Sequence, residues 1–212
     1  MNIKQNYKDK IVEAGKEMLA EGLTVGTWGN ISLRDPETGL VYITPSGMEY
    51  ETIVANDIVV LDLEMNVIDG NRVISVEKQV HLAIYRARND VHAIMHTHPT
   101  YSSALGVVKK DLPAINKEFS QFIGDKVICS VYALPGTKEL SKNVVAGLGD
   151  KRNAVILPNH GTFCVGKDIK TTFTVSHILE QSAHAYILAL ANGSPNILSE
   201  DDIIAIQKAK AS

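Results

Sequence analysis

The sequence predicts an α/β or α+β domain built in three layers around a mostly antiparallel sheet. Three observations predict it. Segments with the apolar spacing of helices alternate along the chain with short runs rich in β-branched residues. Several of those runs are separated only by turn-forming residues, so they read as hairpins, whose strands are antiparallel. The 212 residues contain no internal repeat, low-complexity tract or linker, and that length suits one domain, 1–212, with a sizeable core.

The elements follow in order. Ile3, Tyr7, Ile11, Ala14 and Met18 recur at spacings of three and four, an amphipathic helix over 3–20 with Gly22 as its stop. Strands at 31–34 and 40–43 flank Asp35-Pro36-Glu37-Thr38-Gly39 and form a hairpin. A strand at 58–63 turns through Glu64-Met65-Asn66 into a short partner at Val67-Ile68. Val76, Val80, Ala83, Ile84 and Ala87 mark a helix over 76–88, and Ala93 to Thr97 reads as a strand. Helix signals return over 99–107 and 137–148, the second capped by Thr137 and ended by Gly149. Strands at 155–157 and 163–165 are broken by Pro158-Asn159-His160-Gly161. A long helix spans 169–191, and Ser199 caps a last one carrying Ile203, Ile204 and Ile206.

Composition narrows the function. Net charge is -3, with no basic face to displace counterions from nucleic-acid phosphates. The amino-terminal residues carry no apolar leader, and no stretch approaches the ~20 apolar residues of a membrane span. Cys129 and Cys164 do not form a disulfide framework and read as reduced thiols. These features predict a cytoplasmic protein with a small-molecule substrate and neither a nucleic-acid nor a membrane partner.

His96-Thr97-His98 lies at the end of a strand, where residues i and i+2 share a face, so two imidazoles can grip one cation. His160 sits in a turn beside Gly161. Three neutral imidazoles from two segments make an open, zinc-type site; the alternative is a set of surface or core histidines. His81, His92, His177 and His184 read as structural, with His81 able to support the site from behind. Glu77, at the start of a helix, is the candidate acid/base. Three segments suit an anion: the Gly26-Thr27-Trp28-Gly29-Asn30 and Thr44-Pro45-Ser46-Gly47 turns, and Ser75 at a helix start. No nucleotide-binding glycine motif is present.

Taken in order, these segments resemble the class II aldolase family of the L-fuculose-phosphate aldolase type, whose relatives include adducin heads. The marks are Gly26-Thr27-Trp28-Gly29-Asn30-Ile31-Ser32, Ile43-Thr44-Pro45-Ser46-Gly47, Ser75-Val76-Glu77, His96-Thr97-His98-Pro99 and Asn159-His160-Gly161. The resemblance runs from the first helix to about residue 190. It implies a three-layer α/β/α sandwich around a central, mostly antiparallel sheet, and a cyclic homotetramer with active sites between subunits. It also implies one divalent metal per subunit, zinc first, with manganese or another divalent ion as alternatives. By motif, His96, His98 and His160 would be ligands. Glu77 would be the acid/base that also touches the metal in the resting state. Gly29, Asn30, Ser46, Gly47 and Ser75 would hold the substrate phosphate. Two positions depart from the family pattern: Val76 stands where a second serine is usual, and Lys117 where a tyrosine helps with the aldehyde half.

The expected reaction is metal-dependent cleavage of a ketose 1-phosphate to dihydroxyacetone phosphate and an aldehyde through a metal-stabilised enediolate. The ketose would be a 5-deoxypentulose 1-phosphate, methylthioribulose 1-phosphate or L-fuculose 1-phosphate. Rival readings are a sugar-phosphate epimerase, dehydratase or decarboxylase on the same residues, a hydrolase or carbonic-anhydrase-like enzyme, and a non-catalytic scaffold like the adducin head.

Overall fold

Residues 3–211 are described in the computed structural model; Met1 and Asn2, part of the segment read as carrying no leader, and Ser212 lie outside the described residues. Helix α1, Gln5–Ala20, buries Ile11, Ala14 and Met18 along one stripe, the spacing that predicts it. The chain then lays down β1 (Asn30–Arg34), β2 (Val41–Ile43), β3 (Val59–Leu61) and β4 (Val67–Asp69), each antiparallel to the next. A 3-10 turn, Ala55–Asp57, precedes β3. Helix α2 (Lys78–Ala87) leads to β5 (Ala93–Thr97) and α3 (Thr100–Val107). There follow β6 (Leu112–Pro113), α4 (Lys117–Phe122), β7 (Lys126–Cys129) and α5 (Lys138–Leu148). The hairpin of β8 (Ala154–Ile156) and β9 (Thr162–Gly166) and then α6 (Ile169–Asn192) and α7 (Glu200–Ala211) complete the chain.

The nine strands form one sheet in the order β4-β3-β2-β1-β5-β9-β8-β7-β6. Every neighbouring pair is antiparallel except β7 with β8. Alternation along the strands sorts side chains to two faces. Ile94, Phe163 and Val165 pack with Val80, Ile84, Leu140 and Val144, so α2 and α5 cover one face. Cys164, Ala154 and Ile156 meet Leu105, Phe119, Val175 and Leu179 of α3, α4 and α6 on the other. Met95 and Ile31 meet α1 and Phe173 on that same second face. The result is the expected α/β/α sandwich. Each fully buried aliphatic here is worth roughly 1.5–3 kcal/mol relative to exposure.

Three elements between residues 110 and 130 escape the periodicity argument. Strand β6 is two residues long and carries Pro113, tolerated because β6 is the sheet edge. Helix α4 has six residues, started by Asn116, whose side chain accepts from the Phe119 N–H. Strand β7 is only half covered and pairs in parallel with β8 after a long excursion. Segments this short show too few repeats for a period to register.

Candidate metal centre and active site

The site forms at one end of the three central strands. Register pairs Asn30 of β1 with His96 of β5, and His96 with Phe163 of β9. His96 therefore points to the α2/α5 face, stacked on the Phe163 ring at 4.5 Å. His98 lies just past the strand, held by its N–H to the Leu23 carbonyl. His160 comes from the β8–β9 turn. Its Nε2 is 3.2 Å from that of His96, and His98 Nε2 is 2.9 Å away on the other side. Tetrahedral nitrogen ligands about 2.0–2.1 Å from one zinc stand roughly 3.3 Å apart, so the cluster fits a metal site.

The protonation states suit the same role. His96 Nδ1–H donates to the Thr162 carbonyl at 2.9 Å, which leaves Nε2 as a bare lone pair facing the cluster. Burial pushes His96 down to about 3, helped by neighbouring His98. His160 falls to about 4, again mainly through burial and then through His96. Burial also lowers His98, opposed by the Glu77 charge. Three neutral imidazoles thus converge on one point.

Glu77 completes the ring of donors. It is the N-cap residue of α2, yet its carboxylate does not cap the helix. Oε2 lies 3.1 Å from His96 Nε2 and accepts from Asn30 Nδ2 at 2.9 Å. Oε1, buried and without a hydrogen-bond donor, lies 3.4 Å from His160 Nε2. An orphaned carboxylate oxygen beside three lone pairs is what a divalent cation would satisfy.

The family model for the class II aldolase and adducin N-terminal domain matches residues 9–187. The chain belongs to that family. It is 40% identical over 199 residues to 5-deoxy-D-ribulose 1-phosphate aldolase of Bacillus thuringiensis serovar kurstaki, covering 94% of this chain and 92% of the relative. It is 32% identical to L-fuculose phosphate aldolase of Escherichia coli, covering 93% and 90%. A solved L-fuculose 1-phosphate aldolase superposes with a TM-score of 0.95 at 34% identity, covering 99% of this chain and 98% of that one.

Within this class II aldolase framework, the five residues expected to hold phosphate line one cleft with the metal cluster. Gly29, Asn30, Ser46, Gly47, Ser75, Glu77, His98 and His160 all border it. Two glycines let the backbones close up there. A Cβ on Gly29, at φ +75, would meet the His96 carbonyl oxygen at 2.5 Å. One on Gly161 would clash with the Thr97 carbonyl oxygen and meet His98 Cδ2 at 2.8 Å. The Ser46 N–H is spent on the Val73 carbonyl, which leaves the hydroxyl as the remaining donor of that residue. Ser75 Oγ accepts from the Glu77 N–H and from Asn30 Nδ2, which ties Ser75 to the residues around the carboxylate.

Other positions fall elsewhere. Lys117 opens α4 on the opposite sheet face and does not border the cleft of its own chain. Val76, 61% exposed, stands at the mouth. Cys164, raised to about 12 by burial, and Cys129, raised to about 11, stay thiols and form no disulfide. His177 pairs with Glu21, and His184 stacks on Tyr101 at 3.7 Å, and neither borders the cleft.

Sequence reasoning passed over Trp28, whose ring lies 5.8 Å from that of His98, and Pro135, both of which line the cleft. It also passed over Ser32 and Tyr85. A signal for these existed: Glu77, His81 and Tyr85 recur every four residues on a helix, opposite Asn30, Ser32 and Arg34, every second residue of a strand. A polar stripe on each of two facing buried surfaces announces a hydrogen-bonded network.

Proposed function

We propose that the protein is a metal-dependent aldehyde-lyase that cleaves a ketose 1-phosphate between C3 and C4 to dihydroxyacetone phosphate and a short aldehyde. The observation that carries this reading is the juxtaposition of Glu77 and three imidazole lone pairs with an anion-friendly wall of Ser46, Gly47, Ser75 and Gly29; the Asn30 side chain, expected to hold phosphate as well, has its amide engaged by Glu77 and Ser75. In this reading His96, His98 and His160 hold zinc, the ion best suited to three neutral imidazoles. The bound cation supplies positive charge that draws electrons toward the carbonyl oxygen of the ketose.

The chain's own residues do the rest. The serine hydroxyls and glycine amides fix the phosphate and so set the reacting carbon at one place in the cleft. Of the two Glu77 oxygens, Oε2 is engaged by Asn30 and Oε1 is free of donors, so Oε1 is the basic atom. In the addition direction it takes a proton from the hydroxymethyl carbon of dihydroxyacetone phosphate. The electron pair left behind forms the new bond to the aldehyde carbon, the C=O π pair moves onto the aldehyde oxygen, and that oxygen takes up a proton to become the C4 hydroxyl. In cleavage the C4 hydroxyl gives up its proton and becomes the aldehyde carbonyl as the C3–C4 bond breaks, and protonated Glu77 returns a proton to C3.

Trp28, Val76 and Pro135 give the outer cleft an apolar rim. Such a rim suits a deoxygenated aldehyde half, which favours a 5-deoxypentulose 1-phosphate or its methylthio analogue over L-fuculose 1-phosphate. The name of the 40% identical relative points the same way. A homotetramer with shared active sites is proposed by analogy with the family. No described helix is long and apolar enough to cross a membrane. A cytoplasmic site of action is proposed from the two free thiols.

The test is a coupled assay for dihydroxyacetone phosphate over a panel of ketose 1-phosphates. Release from a 5-deoxypentulose 1-phosphate with a specificity constant above that for L-fuculose 1-phosphate is expected. A hundredfold preference for L-fuculose 1-phosphate would refute the apolar-rim argument, and no product from any ketose phosphate would refute the lyase reading.

A further inference from the structure

Behind the site runs a buried chain of hydrogen bonds whose direction follows from one fact: an ionised carboxylate only accepts. Asn30 approaches Glu77 Oε2 at 2.9 Å, so the atom it presents must be its amide nitrogen. That same nitrogen reaches Ser75 Oγ at 3.1 Å. The Asn30 oxygen is thereby turned the other way, toward His81 Nε2 at 2.5 Å, and His81 must carry its proton on Nε2 to donate there. His81 Nδ1 is then an acceptor, 2.6 Å from Ser32 Oγ, whose hydroxyl hydrogen it takes. Tyr85 Oη closes the far end, 2.8 Å from Ser32 Oγ, and donates to the Ser32 carbonyl at 3.0 Å. From Ser32 through His81 and Asn30 to Glu77, each bond points toward the carboxylate.

We infer that His81 is a positioning residue for the reaction: its Nε2–H locks the Asn30 side chain so that the amide grips Glu77 Oε2 and Ser75, leaving Oε1 as the basic oxygen. The inference rests on the aldolase reading and deepens it. Asn30 alone could sit in either of two flipped orientations, since its oxygen and nitrogen are nearly equal in size. The flipped form would set the Asn30 oxygen against the carboxylate and break the grip. A neutral imidazole can carry its proton on either nitrogen, so the lock is mutual: Glu77 turns the Asn30 oxygen toward His81, and the Nε2–H that meets it there holds the side chain in that orientation. Burial keeps His81 neutral, lowered to about 3, so Nδ1 stays free to accept from Ser32 while Nε2–H donates. The ring also meets Phe163 edge-on at 5.5 Å, the same Phe163 on which His96 stacks. It is fully buried and does not border the cleft, so it acts through Asn30 alone.

The test has two arms. Histidine 15N NMR of the intact protein reads the tautomer directly: His81 protonated on Nε2 and bare on Nδ1 is expected, and the opposite tautomer or a charged ring at neutral pH overturns the inference whether or not the enzyme is active. The kinetic arm compares His81→Leu, which cannot donate, with His81→Gln, whose amide nitrogen reaches the Nε2 position. The leucine variant should retain its metal and lose about tenfold to a hundredfold in kcat, the usual cost of a residue that orients an active-site group, with KM changed much less. The glutamine variant should recover most of that loss. In an Asn30→Ala background the His81→Leu change should cost nothing further, within about twofold, because the partner it acts through is gone. Additive losses in the double variant, or full kcat in His81→Leu, would show that His81 only fills space. Where the leucine variant fails to fold, His81→Asn, whose amide stops short of Asn30, takes its place with the same expected loss. Parental protein that forms no dihydroxyacetone phosphate defeats the lyase reading, and the tautomer measurement still decides the orientation of Asn30.

Discussion

Replacing Glu77 with glutamine removes one charge and one basic oxygen while keeping volume and shape. The structure dictates how the new amide would sit. Asn30 Nδ2 offers only hydrogens to the Oε2 position, so the glutamine carbonyl takes that place and the NH2 group takes the place of Oε1. The nitrogen then lies where Oε1 was, 3.4 Å from His160 Nε2, and cannot accept a proton. One acid/base group is worth roughly a hundredfold to ten-thousandfold in rate, about 2.7–5.5 kcal/mol of barrier. Exchange of the dihydroxyacetone phosphate C–H proton with deuterated water, followed by NMR, isolates the proton step from C–C cleavage. Glu77→Gln should slow that exchange and the overall turnover together. Metal content must be measured beside it, because the new N–H can donate to the His160 lone pair and compete with a cation. A variant that holds its metal and exchanges the proton at the parental rate would refute the assignment of Glu77 as the base.

Further outcomes are expected elsewhere. His98→Ala should lower bound metal well below one per subunit by elemental analysis; full metal content with full activity would remove His98 from the ligand set. Gly161→Ala forces a Cβ against the Thr97 carbonyl and His98, so it should displace the β8–β9 turn and weaken metal retention even though the change is one methyl group. Glu180 reaches across from α6 to accept from the N–H groups of Tyr101 and Ser102 and from the Ser102 hydroxyl, at 2.7, 2.9 and 2.8 Å. Glu180→Ala leaves those donors of α3 without a partner and should cost about 2–3 kcal/mol, a fall of roughly 5–10 °C in Tm by calorimetry. His81 and His96 are buried and neutral, both lowered to about 3. The unfolded chain protonates them near 6.5 and the folded chain does not, so their contribution is complete above about pH 6.5 and is lost progressively toward pH 3. The urea midpoint of chelated protein should therefore fall between pH 7 and pH 4.5, and a flat profile would contradict the buried neutral state.

The residue pattern alone determined much of this protein. Helix spacing in α1 and α2, the Asp35–Gly39 hairpin and the Thr137 and Gly149 signals around α5 are local effects, written in residues that touch one another along the chain. The His96-Thr97-His98 pair was legible from strand alternation, although β5 ends at Thr97 and the His98 backbone is held beyond it by the Leu23 carbonyl. Only the tertiary structure decided the rest. It brings His160, 64 residues from His96, to within 3.2 Å, because β9 happens to be the sheet neighbour of β5. It also decides which Glu77 oxygen is occupied, since Asn30 arrives from β1 on the other side of β5. The short elements β6, α4 and β7 take their form from packing against α6, α7 and β8 rather than from any period of their own. His81 shows the division most clearly: the sequence places it one helical turn after Glu77, but its direction as a donor exists only once strand and helix face each other and a carboxylate at the end of the chain can do nothing but accept.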